Sequence, residues 1–307
     1  MCNRLVFIFI VLAALHDANP LYAQFTDPRY YDDSPVGVNQ IELDYAYGRA
    51  NASIDTSLIV KGAELNLNQG TVRYTRYFSL FRRTAWAQAL VPIAGLDGSV
   101  TGTSIDRSII GAGDSSYELA MLLWGGPALG VAQFASYKPT TSVGVSLAVT
   151  APTGLYNADK VLNLGSDRWS FKPEIGISHP FGLQQRWVVD AYANASFFTD
   201  NLSYQGVEIL RQQALSGLEG HISYAFTPNL WAAFDTRYSF RGSTSVNGID
   251  QGDGQQNFVL GSEMNLSLNP RNTLVLVFAK ALVHQNGPAY TGFTVKYVYS
   301  WGKGYKK

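Results

Sequence analysis

Cysteine, long apolar runs and net charge are all scarce in this chain. The single cysteine is Cys2. It lies inside the leading apolar stretch, too early for a lipoprotein cysteine at the end of a signal, so the mature protein has no disulfide or thiol chemistry. Beyond that leader no stretch offers about 18 consecutive apolar residues, which argues against transmembrane helices. The longest apolar-looking segment, Met121 to Tyr137, is broken by Gly125-Gly126-Pro127. The 23 Lys+Arg balance 23 Asp+Glu, so no nucleic-acid partner is expected, nor a strongly basic membrane-surface module. Sites for chemistry are equally sparse. His179, His221 and His284 do not pair at metal spacing, and no Cys ligand accompanies them. Gly111-Ala112-Gly113-Asp114 lacks the strand and helix context of a nucleotide loop. Asp250 to Asp253 lacks the closing glutamate of a calcium loop. Ser223 and His221 share a strand face, a neighbourhood too common to mark a hydrolase. Neither an enzyme nor a cofactor is expected.

What the chain has is a hydrophobic pattern of period two that recurs almost to its last residue. In Gly292 to Trp301 the side chains of Phe293, Val295, Tyr297, Tyr299 and Trp301 point one way from a strand, and Thr294, Lys296 and Ser300 the other. The apolar face is rich in aromatics, and aromatics make up 13% of the 307 residues, with 18 Tyr. The other face carries charges. That division suits a barrel with lipid outside and a polar lumen inside. Mean hydropathy of -0.03 fits such a barrel, because half of each strand is polar. Ahead of the pattern, Arg4, the apolar Leu5 to Leu15 and Leu21-Tyr22-Ala23 before Gln24 read as a secretory signal, residues 1–23.

Twelve strands are expected, at 39–50, 67–78, 84–93, 115–124, 141–151, 169–179, 186–198, 212–226, 230–240, 257–268, 273–284 and 291–302. Together they form an all-β, transmembrane, antiparallel up-and-down barrel over 39–302. Short turns at Ser79–Arg83, Pro180–Gln184, Thr227–Asn229 and Asn269–Asn272 alternate with longer polar connections near 51–66, 94–114, 152–168, 199–211, 241–256 and 285–290, the outer-membrane arrangement. An even count puts both termini in the periplasm. The 125–140 connection is longer than its periplasmic side predicts, and Leu129 to Tyr137 reads either as a short amphipathic helix or as loop. Pro173 sits least comfortably in its strand. Residues 24–38 are read as a periplasmic leader, loose as termini usually are, or else as a segment folded into the barrel mouth. Residues 303–307 form a tail.

Counting along the strands sorts charge by face. The expected lumen lining is Glu42, Asp44, Arg73, Glu118, Asp190, Glu219, His221, Asp235, Arg237, Glu263, Lys280 and Lys296. A turn centred on Pro228 sets His221 against Asp235 and Glu219 against Arg237, and at the seam Lys296 meets Glu42 or Asp44 beside Arg73. Opposite charges directly across such a pair contribute roughly 0.2–1 kcal/mol each. The acid–base ladder either satisfies its own charges in a narrow space or also selects solutes. Arg76 breaks the rule, falling outside with Val72 and Tyr74, where it can snorkel to the interface.

Several short motifs carry a family likeness. Ala151-Pro152-Thr153-Gly154-Leu155-Tyr156, then Asn163-Leu164-Gly165 and Arg168-Trp169, resemble the family of outer-membrane transporters called the meta-pathway of phenol degradation family. Asp27-Pro28-Arg29-Tyr30, Gly113-Asp114, and Tyr238 to Gly242 with Val246-Asn247-Gly248 are similar to its other motifs. The resemblance implies a β-barrel that takes up small hydrophobic compounds, with no catalytic residues to carry over. Where outer-membrane barrels commonly finish on an aromatic, this chain runs on from Trp301 through Gly-Lys-Gly-Tyr-Lys-Lys. The residues give the Pro-Thr-Gly loop a physical reading of its own. Pro152 ends a strand for want of an N–H, Gly154 permits a turn, and Tyr156 and Trp169 anchor a loop, 152–168, that either constricts the external mouth or caps its rim. Pro152, Gly154, Tyr156, Asn163, Arg168 and Trp169 are the expected mouth residues. The expectation is therefore a passive outer-membrane channel for small, hydrophobic or aromatic solutes, its partners being membrane lipid, the solute and the barrel-assembly machinery. The alternatives are a closed structural or adhesive barrel whose loops bind a partner, and a soluble periplasmic β-protein.

Overall fold

The computed structural model describes residues 26–50, 63–100, 106–160, 162–286 and 289–302. The expected signal and the tail 303–307 lie outside the described residues. In chain order the strands are β1 (Val38–Ala50), β2 (Ala63–Leu80), β3 (Arg83–Val100), β4 (Asp106–Ala112), β5 (Ser115–Trp124), β6 (Ser142–Ala151), β7 (Ser170–Phe181), β8 (Trp187–Phe198), β9 (Asn201–Tyr204), β10 (Glu208–Gln212), β11 (Leu215–Thr227), β12 (Leu230–Arg241), β13 (Thr244–Val246), β14 (Ile249–Asp250), β15 (Gln255–Asn269), β16 (Asn272–Gln285) and β17 (Tyr290–Gly302).

Every neighbour in the barrel is antiparallel, and β1 closes it by pairing with both β2 and β17. The seam runs from Val38 opposite Gly302 to Ala50 opposite Tyr290. Closure leaves no sheet edge, which lipid requires because it offers backbone N–H and C=O groups no partner. The wall has twelve positions. One is filled by two strands in succession: β3 pairs with β4 from Ile93–Ala112 to Ser99–Asp106, and with β5 from Ala85–Met121 to Leu90–Ser116.

The expected long loop at 94–114 is thus a correction. Most of it is hairpin, continuing the wall upward. Alternation hid it, because Ala94 and Leu96 are buried inside while Ile93 and Ile110 are exposed outside, so both faces read as apolar. The loops at 199–211 and 241–256 are likewise structured in part. They contribute β9, β10, β13 and β14 to a separate four-stranded sheet on the side opposite the termini.

The short turns lie with the termini, as does the 125–140 connection. The latter holds one turn of helix, α1 (Val131–Phe134). It also clasps the chain entering β1: the Val36 amide donates to the Leu129 carbonyl at 2.8 Å, and the Thr140 amide to Asp33 at 3.3 Å. Pro173 pairs with Leu147 of β6, while the β7–β8 register has no pair at 172 and 173, so its missing N–H falls in that break.

The outer surface carries Leu43, Tyr45, Val72, Leu119, Ile175, Phe234 and Tyr238, all exposed. Near the terminal rim, Trp187 and Tyr224 meet at a tilt with centroids 4.6 Å apart, and Tyr299 and Trp301 stack at 5.8 Å, which builds an aromatic girdle. Arg76 is exposed there and donates to Asn39 Oδ1 at 2.9 Å. A cation at mid-wall has no such refuge. Leu119→Arg is expected to cost about 2–4 kcal/mol of folding free energy in lipid vesicles, read by denaturant unfolding.

Candidate functional site

Inward side chains alternate with lipid-facing ones on every strand, so the lumen inherits one face of each. Its middle is charged. Glu219 accepts from Arg237 Nη1 at 2.7 Å, and His221 Nδ1 meets Asp235 Oδ1 at 2.8 Å; all four are buried. Their register is Glu219 opposite Arg237 and His221 opposite Asp235. Beside the seam, between β1 and β2, Arg73 Nη1 lies 3.0 Å from Glu42, its cross-strand partner. Lys296 is opposite Asp44. Its ammonium nevertheless approaches Glu263 at 3.9 Å and, at 2.6 Å, Asp27. Asp190 accepts from Ser178 Oγ at 2.6 Å, and Glu118 from the Tyr30 hydroxyl. Eleven of the twelve expected lining residues therefore face inward, and Lys280 does not. It is exposed on the outer face, because the inner face of β16 is Val275, Val277, Ala279 and Ala281. With both faces apolar, period two could not tell in from out.

Thr26 to Gly37 do not trail into the periplasm. They enter the barrel and fill its lower half. A loose leader would leave the inner acids of β7, β8 and β11 without these partners. Instead the Thr26 amide donates to Glu219 at 2.7 Å, its hydroxyl to Glu174 at 2.8 Å, and the Arg29 amide to Asp190 at 3.1 Å. Asp27 sits between Lys296 at 2.6 Å and Arg73 at 3.3 Å. Burial pushes its carboxyl up, and the ammonium and guanidinium outweigh that, holding it well below the usual carboxylate range. Tyr31 is fully buried, with its ring 5.1 Å from Tyr30 and 5.3 Å from Tyr192. Such edge contacts add roughly 0.5–1.5 kcal/mol each beyond burial. Two glycines make room for it: a Cβ on Gly144 would come within 2.2 Å of the Tyr31 ring, and one on Gly176 within 2.3 Å. Gly144 and Gly176 are register partners, so the wall carries a dimple the width of two strands. Sequence reasoning offers the folded-in segment as the alternative to a loose leader, and misses the dimple and the contacts that hold it. The available signal was two glycines at inward positions of neighbouring strands, together with Tyr30-Tyr31 in the leader.

Toward the opposite end the lumen turns apolar. Leu65, Leu67, Ala94, Leu96, Val259, Ala279, Ala281 and Tyr290 form one buried cluster, and the 152–168 loop adds Leu162 and Leu164 to it. Asp114, at the break between β4 and β5, holds that loop in place. Its Oδ1 accepts from the Gly154 amide at 2.8 Å, and Oδ2 from the Ser166 amide at 2.8 Å and hydroxyl at 2.6 Å. Gly154 and Gly165 pack so closely that a Cβ on either would come within 2.8 Å of the other's backbone. Pro152 directly follows the last residue of β6. Asn163 ties the loop to itself through the Asn157 amide at 2.7 Å and the Lys160 carbonyl at 2.8 Å. Tyr156 accepts from Asn201 at 3.0 Å, and Arg168 is buried with its guanidinium 4.3 Å above the Phe198 ring. Trp169 corrects its expectation: it is 45% exposed and anchors nothing inward, since it stands beside the first residue of β7 on the outer side. The inward anchors are Leu162 and Leu164.

Between the apolar zone and the inserted segment lies a cavity of about 330 Å³, bordered by Asp44, Arg73, Gln88, Glu118 and Lys172. Among the described residues no group of three or more His, Cys, Asp or Glu is placed to hold a metal ion. A lumen with an apolar mouth, a charged waist and a filled floor is the interior of a small transmembrane β-barrel, and the comparisons place it further. The chain belongs to the family described as "Putative MetA-pathway of phenol degradation", whose pattern matches residues 48–297. It is similar in fold to the COG4313 outer membrane channel from Pseudomonas putida F1, with 23% identity and a TM-score of 0.76 over 90% of this chain and 100% of that one. The β domain of the Bordetella autotransporter BrkA matches at 12% identity and a TM-score of 0.51, over 87% of this chain and 100% of that one. No protein among those of curated function matches in sequence. The fold is that of an outer-membrane β-barrel channel.

Two outcomes test this geometry. Arg237→Glu sets two acids against each other in a buried pair and is expected to cost about 3–5 kcal/mol, measured by denaturant unfolding in vesicles. Asp114→Ala removes three hydrogen bonds from the 152–168 loop, and limited proteolysis should then cut within the loop while the barrel stays intact.

Proposed function

We propose that the protein is a passive outer-membrane channel for small hydrophobic or aromatic compounds, exported by a cleaved signal and inserted by the barrel-assembly machinery. The observation that carries the reading is the apolar zone at the external mouth. Water-filled pores for polar solutes have polar interiors, whereas here Leu65, Leu67, Leu96, Leu162 and Leu164 converge in the lumen. An aromatic solute entering it sheds hydration over one ring, worth roughly 2–4 kcal/mol at about 25 cal/mol per Å². The 152–168 loop acts as the constriction of that mouth, since its two leucines join the buried cluster formed by inward side chains of the wall. The charged waist below holds the barrel together by mutual pairing, and it contributes to selecting against solutes that cannot meet its polar groups.

The similarity to a channel of known structure and the family's association with phenol degradation support this reading. A second reading, a closed barrel whose external surface binds a partner, draws on Leu202, Val207 and Ile249, which are 70%, 88% and 71% exposed in or beside the outer sheet.

Flux into proteoliposomes separates the two. Toluene-sized solutes should enter faster than through protein-free vesicles, and Leu162→Asp with Leu164→Asp should abolish that gain while leaving the barrel folded. Equal flux in both proteins would reject the apolar zone as the path. Absence of any flux above protein-free vesicles, including from a variant lacking residues 26–36, would favour the second reading.

A further inference from the structure

The inserted segment is held by ion pairs that have an alternative waiting in the wall. Asp27 takes the cations on either side of β1, Lys296 at 2.6 Å and Arg73 at 3.3 Å. Arg73 still reaches Glu42 at 3.0 Å. The acid left out is Asp44. It stands directly opposite Lys296 in the β1–β17 register, yet its Oδ1 is buried with no hydrogen-bond partner. A cross-strand neighbour lies about 4.5–5.5 Å away between Cβ atoms, well within the reach of a lysine side chain. Lys296 therefore leans off its strand neighbour toward the segment. If the segment withdraws, the ammonium can swing back to Asp44 while Arg73 keeps Glu42, and neither cation is stranded.

We propose that residues 26–36 are a displaceable plug, and that Asp44 is the stand-in that receives Lys296 when Asp27 leaves. Removing one partner of a buried ion pair ordinarily strands the other at high cost. Here the exchange cancels much of that cost for Lys296 and Arg73, while Glu174, Asp190 and Glu219 trade the Thr26 and Arg29 donors for lumen water. The other contacts of the segment come from one short stretch of chain and so release together. Tyr31 rests in the glycine dimple beside the Trp86 and Tyr192 rings, its hydroxyl on Glu174 at 3.1 Å, and the segment leaves toward the end where Val36 pairs with the 125–140 connection. Gly37, at φ 84°, supplies a joint before β1 that other residues rarely adopt. The same connection that is too long for a periplasmic turn is thus the collar through which the segment passes.

The inference rests on the channel reading, and one experiment keeps the two apart. Single-channel recordings in planar bilayers with potassium chloride compare the wild type, a variant lacking residues 26–36, Asp27→Asn and Asp44→Asn. Each is first shown to be folded by its heat-dependent shift in gel mobility. The deletion variant should conduct steadily; if it is silent, the channel reading fails. Against that standard the two substitutions should act in opposite directions. Asp27→Asn releases the latch and should raise the open fraction by about tenfold or more, the scale of a lost buried charge pair. Asp44→Asn removes the stand-in and relieves the unpaired acid, and should lower the open fraction. A conducting deletion variant with both substitutions matching the wild type, or shifting the same way, would overturn the exchange. Should Asp27→Asn fail to fold, a synthetic peptide of residues 26–37 added to the deletion variant gives the same answer. The native peptide should block conductance, and the peptide carrying Asn for Asp27 should not. Equal block by both would overturn the role of Asp27.

Discussion

Closure of the β1–β17 seam is the constraint on which everything else in this molecule depends. A hydrocarbon surround gives an unpaired backbone amide nowhere to turn, so the first and last strands must meet in one register. That register is what sets Asp44 against Lys296 and, on the other side of β1, Glu42 against Arg73. Slipping it by one residue would turn every side chain of a strand to the opposite face, bringing Lys296 into lipid and Tyr297 into the lumen. The charged waist therefore serves the fold as a register key, since a one-residue slip of the seam would carry its charges out of the lumen and into lipid.

The same closure explains why the interior is filled. Twelve strands enclose a lumen wider than a row of facing side chains can span, unlike the side-chain-filled interior of an eight-stranded barrel. Inner acids such as Glu174, Asp190 and Glu219 need hydrogen-bond donors, and strand neighbours supply only part of them. The segment ahead of β1 brings the remainder as backbone amides and hydroxyls. This division of labour is economical in sequence: a wall of small residues, Gly144, Gly176, Ser142 and Ser146 among them, accepts one bulky tyrosine and its neighbours.

Much of the fold was legible in the sequence, for a physical reason. Where one face of a strand meets lipid and the other meets water or charge, the period-two signal is strong, and β1, β11, β12 and β17 follow their expected spans to within three residues at each end. Even the pairing of Glu219 with Arg237 and of His221 with Asp235 could be read from one turn. The signal fails wherever the inner face is apolar too. That is why the β3–β4 hairpin resembles a loop in sequence and Lys280 falls on the polar face by pattern while standing outside in the barrel. The inserted segment left two readings open for a different reason. It has no periodicity, and what fixes it is complementarity to side chains gathered from strands far along the chain. Asp114 was similarly hidden: Gly113-Asp114 stood out only as a family motif, and its use as a staple for the 152–168 loop depends on contacts across some fifty residues of sequence.

Under the proposed function, the ordering of the lumen, apolar ahead of charged, has a kinetic consequence. A solute that prefers the leucine-lined zone meets an energy well before it meets the barrier of the waist. Passage then follows occupancy of the well, rising with concentration while the well is mostly empty and levelling off once it is full. Such a pore collects its cargo most effectively when the cargo is dilute, and behaves less like an open hole than like a carrier with one resting place.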